Sequence, residues 1–132
     1  MATVNMKVTL SSDIEKVWKT VTSCENYTWR SDLSKIEILE GGKQFVEYTK
    51  EGYSTKFTIT AYEPYTRYEF DMNNENMYGH WMGLFSCENG KVNIDFTENV
   101  TAKKFFMKPL VGMYIKKQQE KYIKDLKNEL GE

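Results

Sequence analysis

Between residues 35 and 100, segments rich in Tyr, Phe, Val, Ile and Thr alternate with turn signals, and this spacing strongly constrains the fold. The turn signals are Gly41-Gly42, Glu51-Gly52, Glu63-Pro64-Tyr65, Asn73-Asn74-Glu75-Asn76 and Asn89-Gly90. They delimit six predicted strands at 35–39, 43–50, 53–62, 66–72, 77–87 and 91–100. Residues 3–10 alternate polar with apolar side chains and predict one more strand before them. The pattern indicates an antiparallel meander.

Helical patterns flank these strands. Ser11-Ser12-Asp13 supplies N-cap side chains and is followed by apolar residues at helical spacing, which predicts a helix over 13–22. A second short helix is predicted near 31–33. After Pro109, one long helix is predicted, with a stripe formed by Val111, Ile115, Gln119, Tyr122, Ile123, Leu126 and Leu130. A sheet with one apolar face and a single amphipathic helix bury each other only if the sheet curves around the helix.

Size and composition limit the class of protein. A chain of 132 residues has the usual size of one domain, so 1–132 is expected to form a single unit. The composition, 40% hydrophobic and 28% charged, is typical of a globular protein. The net charge of −1 argues against a global electrostatic attraction to nucleic acid or to an anionic membrane, and no nucleic acid is expected as a partner. The N-terminus has no secretory apolar core and no run approaches roughly 18 apolar residues, so a cytoplasmic protein is expected.

The residues that bind metals or act as nucleophiles are few. Cys24 and Cys87 lie far apart without paired spacing, which predicts two reduced, unreactive packing thiols. With one histidine and two distant cysteines, neither a metal site nor a cofactor is expected. His80 has the strand parity opposite to Trp81, so it is expected to face solvent, and a catalytic role for His80 is the alternative.

The order of elements resembles the START-like or SRPBCC superfamily, which includes polyketide cyclase-like and birch-pollen-allergen-like proteins, over the whole chain. Local similarities are residues 12–18, Ser-Asp-Ile-Glu-Lys-Val-Trp, the Tyr27-Thr28-Trp29 segment, and the strand-turn-strand at 61–68. The resemblance implies an α+β helix-grip fold, in which a curved seven-stranded antiparallel sheet wraps around a long C-terminal helix, with one or two short helices after strand one. It also implies a cavity between sheet and helix for a lipid, polyketide or sterol, and it supplies no catalytic signature.

Alternation within the strands predicts which side chains face this interior. The inward set, predicted to contact a ligand, is Phe57, Ile59, Tyr68, Phe70, Met72, Trp81, Phe85, Ile94 and Phe96. Apolar ligand sites and packed cores share this composition, so the pattern leaves both a cavity and a filled interior open.

Two carboxylates share that parity. Glu98 lies two residues after Phe96, and Glu47 lies two residues after Phe45. Because every second side chain of a strand lies on the same face, both carboxylates are expected to point inward. A carboxyl group in an apolar interior has a raised pKa and is suited to move a proton or to bind the polar end of a ligand. The alternative is that each lies near a strand end, where it reaches water or pairs with Lys or Arg.

The final helix adds polar candidates. Gln118 or Gln119 is expected to face the sheet, and Gln118 and Tyr114 are predicted to contact the ligand, with internal hydrogen bonds as the alternative. Residues 103–127 contain eight lysines and two acidic residues, a charge of +6. Because the sheet covers the apolar stripe, these lysines are expected to be solvated, with docking on a membrane surface or on nucleic acid as the alternative.

These features favour a protein that carries or sequesters a small hydrophobic or amphipathic molecule. The first alternative is a cyclase- or dehydratase-like enzyme in which Glu47, Glu98 or a cavity tyrosine moves a proton. The second alternative is a protein-interaction module, whose mark would be a large exposed apolar patch.

Overall fold

The computed structural model describes the backbone of residues 1–132 and every side chain except that of Glu40. The elements are β1 (Ala2–Leu10), α1 (Ile14–Thr22), β2 (Leu33–Ile38), β3 (Gln44–Thr49), β4 (Ser54–Glu63), β5 (Arg67–Asn73), β6 (Met77–Glu88), β7 (Lys91–Ala102) and α2 (Val111–Glu129). Short 3₁₀ turns occupy Glu40–Gly42 and Phe105–Met107. All seven predicted strands are confirmed, with ends within two residues of the predicted positions.

The strands form one antiparallel sheet in the order β1-β7-β6-β5-β4-β3-β2. The strands β2 to β7 follow each other as a meander, and β1 adds to its far edge by pairing with β7. The register places Met6 opposite Phe96 and Val8 opposite Ile94, so the apolar sides of β1 and β7 coincide. The curved sheet holds α2 against one face, which confirms the predicted helix-grip α+β fold.

The helix α1 begins where its sequence predicts, because the Asp13 side chain accepts a hydrogen bond from Lys16 N at 2.9 Å. The predicted second short helix near 31–33 is wrong, since the chain turns there and β2 begins at Leu33. Ser31 donates hydrogen bonds from its backbone N–H and hydroxyl to Asp125 on α2, at 2.9 and 2.8 Å. These tertiary bonds take the place of the local bonds that a helix would use.

The core forms two clusters along α2. Leu126 and Leu130 at the C-terminal end pack with α1 and with the centre of the sheet, whereas Val111 and Ile115 pack with Val100 and the end of β7. Between the clusters, the buried stripe of α2 becomes polar at Gln119. Within the described part of the chain, no helix is long and apolar enough to cross a bilayer.

Candidate ligand-binding cavity

A cavity of about 1020 Å³ lies between the sheet and α2. Its wall combines side chains of β3 to β7 with the segment before β2 and one side of α2. The turns after β3 and β5 also line it, and Tyr53 and Glu75 in these turns are exposed, so this end forms the mouth. The interior is therefore not filled by the inward side chains, which answers a question that the sequence pattern leaves open.

Five neighbouring strands each contribute at least one aromatic ring to the wall, and one ring from each forms a row across the sheet. The rings are Phe45 on β3, Phe57 on β4, Phe70 on β5, Trp81 on β6 and Phe96 on β7. Phe45 stacks on Phe57 at 4.9 Å between centroids, and Phe70 stacks on Trp81 at 5.0 Å with planes 5° apart. Phe57 meets Phe70 edge to face at 5.1 Å, which joins the two stacks into one continuous surface.

The indole of Trp81 lies over Gly83, the next residue on the same face of β6. A Cβ added to Gly83 would overlap the indole, with its Cζ3 atom 2.7 Å away. Because glycine has no Cβ, the ring can lie against the backbone at this position. Gly83 therefore shapes the aromatic wall.

A buried carboxyl–amide pair forms the deep polar group of the cavity. Gln119 Nε2 donates to Glu98 Oε1 at 2.8 Å, and both side chains are buried. Burial raises the pKa of Glu98 to about 7; the Gln119 bond lowers it and the charge of Glu47 raises it. Near neutral pH this carboxyl group can therefore give or take a proton. Among the described residues, Gln119 Oε1 is buried without a hydrogen-bond partner.

A second polar group centres on Arg30. Its guanidinium lies 3.2 Å from Asp32 and 3.5 Å from Glu47, and its Cζ lies 5.1 Å from the centroid of the Tyr122 ring. Burial raises the pKa of Glu47 although the nearby Arg30 charge lowers it, and burial raises the pKa of Tyr122 to about 12. The side chain of Glu47 is 16% exposed. This cluster places a paired cation and a neutral phenol on the wall.

The remaining polar side chains of the wall lie closer to the mouth or beside α1. Gln118 Nε2 donates to the Tyr114 hydroxyl at 2.8 Å on α2, near the mouth. Cys24 also lines the cavity, and burial raises the pKa of its thiol to about 11, so it stays protonated. Burial likewise raises the pKa of Tyr68, which keeps its phenol protonated. Cys87 is exposed, so the prediction that both thiols are packed is wrong for this residue.

Most of the predicted site residues meet at this cavity. Those on its wall are Glu47, Phe57, Tyr68, Phe70, Met72, Trp81, Phe96, Glu98, Tyr114 and Gln118. Ile59, Phe85 and Ile94 lie in the packed core cluster instead. Contact of any of these residues with a ligand stays a prediction.

His80 lies on the other face of the sheet, as its parity predicts. Its ring nitrogens are 2.7 Å from Asp71 and 2.7 Å from Glu69. Burial lowers the pKa of His80, but the hydrogen bonds and the negative charges of Asp71 and Glu69 together raise it by more, so the net shift is upward. The structure thus separates His80 from the cavity carboxylates. In the described part of the chain, no group of three or more His, Cys, Asp or Glu side chains could hold a metal ion.

Arg30 and Asp32 are not predictable from the sequence, because the segment 25–32 has neither helical nor strand periodicity. The sequence pattern also leaves the choice between Gln118 and Gln119 open. The structure places Gln119 in the interior and Gln118 at the mouth. The signal that favours Gln119 is its place in the predicted apolar stripe.

A curved antiparallel sheet that grips a C-terminal helix around an internal cavity defines the START-like, helix-grip class of proteins. The chain belongs to the polyketide cyclase / dehydrase and lipid transport family, whose profile matches residues 1–131. No curated protein sequence matches the chain significantly. The resemblance inferred from the order of elements is thereby confirmed.

Solved structures share the fold at low sequence identity. A conserved protein from Geobacillus kaustophilus superposes with a TM-score of 0.83 at 13% identity, covering 98% of this chain and 95% of its own. A START superfamily protein from Mycobacterium smegmatis gives a TM-score of 0.81 at 16% identity, with coverages of 98% and 97%. The di-domain ARO/CYC protein BexL gives 0.80 at 9% identity, covering 97% of this chain and 46% of that one.

Proposed function

We propose that the protein carries or sequesters a small apolar or amphipathic molecule in the cavity between the sheet and α2. The observation that carries this proposal is the cavity of about 1020 Å³ with its continuous aromatic wall. Ligand sites in proteins are typically apolar cavities of about 300–1,000 Å³ with a few convergent polar groups. The family to which the chain belongs, which includes lipid transport, supports the same function.

The wall favours a flat apolar body with a hydrogen-bond donor at one end. The aromatic rings of Phe57, Phe70 and Trp81 on the wall offer apolar contact area for a planar or polycyclic molecule. The unpartnered Oε1 of Gln119 accepts a hydrogen bond and so favours a hydroxyl, phenol or N–H group. Two interior carboxyl groups, Glu47 and Glu98, disfavour an anionic ligand next to them.

Native mass spectrometry of the purified protein tests for a retained ligand. Gentle ionisation is expected to show a complex heavier than the chain by the mass of one small molecule, which denaturation releases. The released molecule identifies the chemical class directly. If it were a highly charged polyanion, the proposed ligand class would be wrong.

A variant that narrows the mouth tests where the molecule binds. Gln118→Trp is expected to weaken binding of the neutral probe N-phenylnaphthylamine at least about tenfold, because the indole occupies the entrance. Fluorescence titration measures the affinity. Lys121→Trp is the matched control, since it adds the same indole to an exposed position of α2 away from the cavity wall. Equal affinities of the two variants would contradict binding in the cavity.

The Glu98 carboxyl supports a second candidate, a cyclase- or dehydratase-like enzyme. A pKa raised by burial to about 7 suits a residue that exchanges a proton with a bound carbonyl compound at neutral pH. With a polyketide-type substrate, Glu98→Gln is expected to lower kcat at least about a hundredfold, since the amide cannot exchange a proton. Unchanged probe binding and circular dichroism would show that the site persists. An unchanged kcat would remove Glu98 from the mechanism.

A further inference from the structure

The segment between β7 and the first turns of α2 exposes large apolar side chains. Phe105 is 86% exposed and Phe106 72%, and Leu110 and Met113 are each more than 60% exposed. Isolated exposed hydrophobic residues are ordinary, but four within nine positions are an unusual local concentration of exposed apolar surface. We call residues 103–117 the mouth segment.

The same segment is basic. It contains Lys103, Lys104, Lys108, Lys116 and Lys117 and no acidic residue, a charge of +5. The rest of the chain then carries −6, because the whole chain carries −1. All five lysines are exposed, and they are interspersed along the segment with the exposed apolar side chains. The sequence pattern alone predicts solvated lysines and does not reveal these unpartnered aromatic residues.

The mouth segment lies at the entrance of the cavity. Met107 and Tyr114 line the cavity, although the residues around Met107 point outward. Lys103 ties the segment to the turn after β5, since its Nζ donates to Asn73 Oδ1 and to the Asn74 carbonyl, both at 2.6 Å. Glu75 lies in the turn bonded to Lys103, and Glu51 lies in the turn after β3. The mouth therefore carries acidic residues beside the basic, apolar segment.

We propose that the mouth segment docks the protein on an anionic lipid bilayer, with Phe105, Phe106, Leu110 and Met113 inserted among the acyl chains and the lysines against the phosphate groups. Apolar side chains flanked by lysines are the pattern of elements that lie in the membrane interface. Charge complementarity favours a surface rich in anionic headgroups, which attracts each nearby lysine. A second copy of the chain would bring a like charge of +5 to the contact, which opposes pairing of two mouth segments.

Docking in this orientation brings the cavity mouth to the bilayer surface. An apolar molecule would then pass between the cavity and the acyl region without crossing water. This consequence rests on the proposed function, whereas the docking itself does not require a ligand. Vesicle binding and probe binding can therefore fail independently.

Vesicle flotation tests the docking with the full chain. We expect the protein to float with phosphatidylcholine vesicles that contain about 30 mol% phosphatidylserine and to stay behind with pure phosphatidylcholine. The double variant Phe105→Ser/Phe106→Ser is expected to lower the partition coefficient at least about tenfold. Lys104→Glu/Lys108→Glu is expected to lower it at least about thirtyfold. Both variants change exposed residues, and circular dichroism verifies that they fold.

Matched controls make the same changes elsewhere on the surface. Ile38→Ser/Leu84→Ser removes two exposed apolar side chains away from the mouth, and Lys124→Glu/Lys127→Glu reverses two exposed charges at the far end of α2. Both controls are expected to bind vesicles much more strongly than the corresponding mouth-segment variants.

Three results would overturn the proposal: no flotation with anionic vesicles, equal flotation with neutral ones, or equal losses in the mouth and control variants. In that case, light scattering distinguishes a self-associating protein from a monomer. Self-association that is lost in Phe105→Ser/Phe106→Ser would assign the surface to a second copy. A monomer that does not float would leave a protein partner, and either outcome contradicts bilayer docking.

Discussion

Glu98→Gln is expected to raise the free energy of unfolding by about 3 kcal/mol at about pH 8 and to leave it nearly unchanged at about pH 4. Burial raises the pKa of Glu98 in the folded protein from 4.5 to about 7. Below pH 4.5 the carboxyl is protonated in both states, so the side chain contributes its full stability. As the pH rises to 7 and above, the unfolded state ionises more readily and this stability is lost.

The neutral amide of the Glu98→Gln variant has no such loss, and its carbonyl can still accept the hydrogen bond from Gln119. Urea denaturation of both proteins across this pH range measures the difference. Glu120→Gln is the matched control, because Glu120 is exposed on the same helix as Gln119. We expect this control to follow the wild-type curve within about 0.5 kcal/mol. If Glu98→Gln followed the wild-type curve too, the carboxyl would not be buried as the structure indicates.

The opposite effect, a loss of at least about 3 kcal/mol in the free energy of unfolding, is expected for Gly79→Ala. A Cβ on Gly79 would overlap the carbonyl oxygen of Asn99 and lie 3.1 Å from Val100 Cα. Gly79 pairs with Val100 in the register between β6 and β7, so only a shift of one strand would relieve the overlap. Because β6 is paired on both sides, by β5 and by β7, these backbone atoms move less easily than a side chain does.

Gly83→Ala provides the comparison within the same strand, since the three atoms nearest to its Cβ all belong to the Trp81 indole, a side chain that can rotate. We expect Gly83→Ala to destabilise the fold by less than Gly79→Ala and to change the Trp81 fluorescence. Denaturant unfolding of both variants measures which substitution lowers the free energy of unfolding more. A smaller effect for Gly79→Ala than for Gly83→Ala would contradict the close packing of β6 on β7.

The polar groups of the site show what strand alternation can and cannot predict. Side chains alternate strictly along a strand, so Glu98 must share the face of Phe96, and the inward direction of Glu98 is predictable from sequence. Parity does not show what lies opposite. Arg30 pairs with Glu47 from a turn without periodicity, and the depth of Gln119 depends on the rotation of α2.

The elements and their order are predictable from the residues alone, because turn residues and hydrophobic periodicity act locally and recur along the chain. The seven strands, the capped α1 and the long α2 follow from such local rules. The cavity emerges only from the folded arrangement, since the same aromatic residues pack a filled core or line an empty one. The exposure of Phe105 and Phe106 is likewise decided only by the tertiary structure. Whether a side chain is buried depends on every other segment of the chain rather than on its neighbours in sequence.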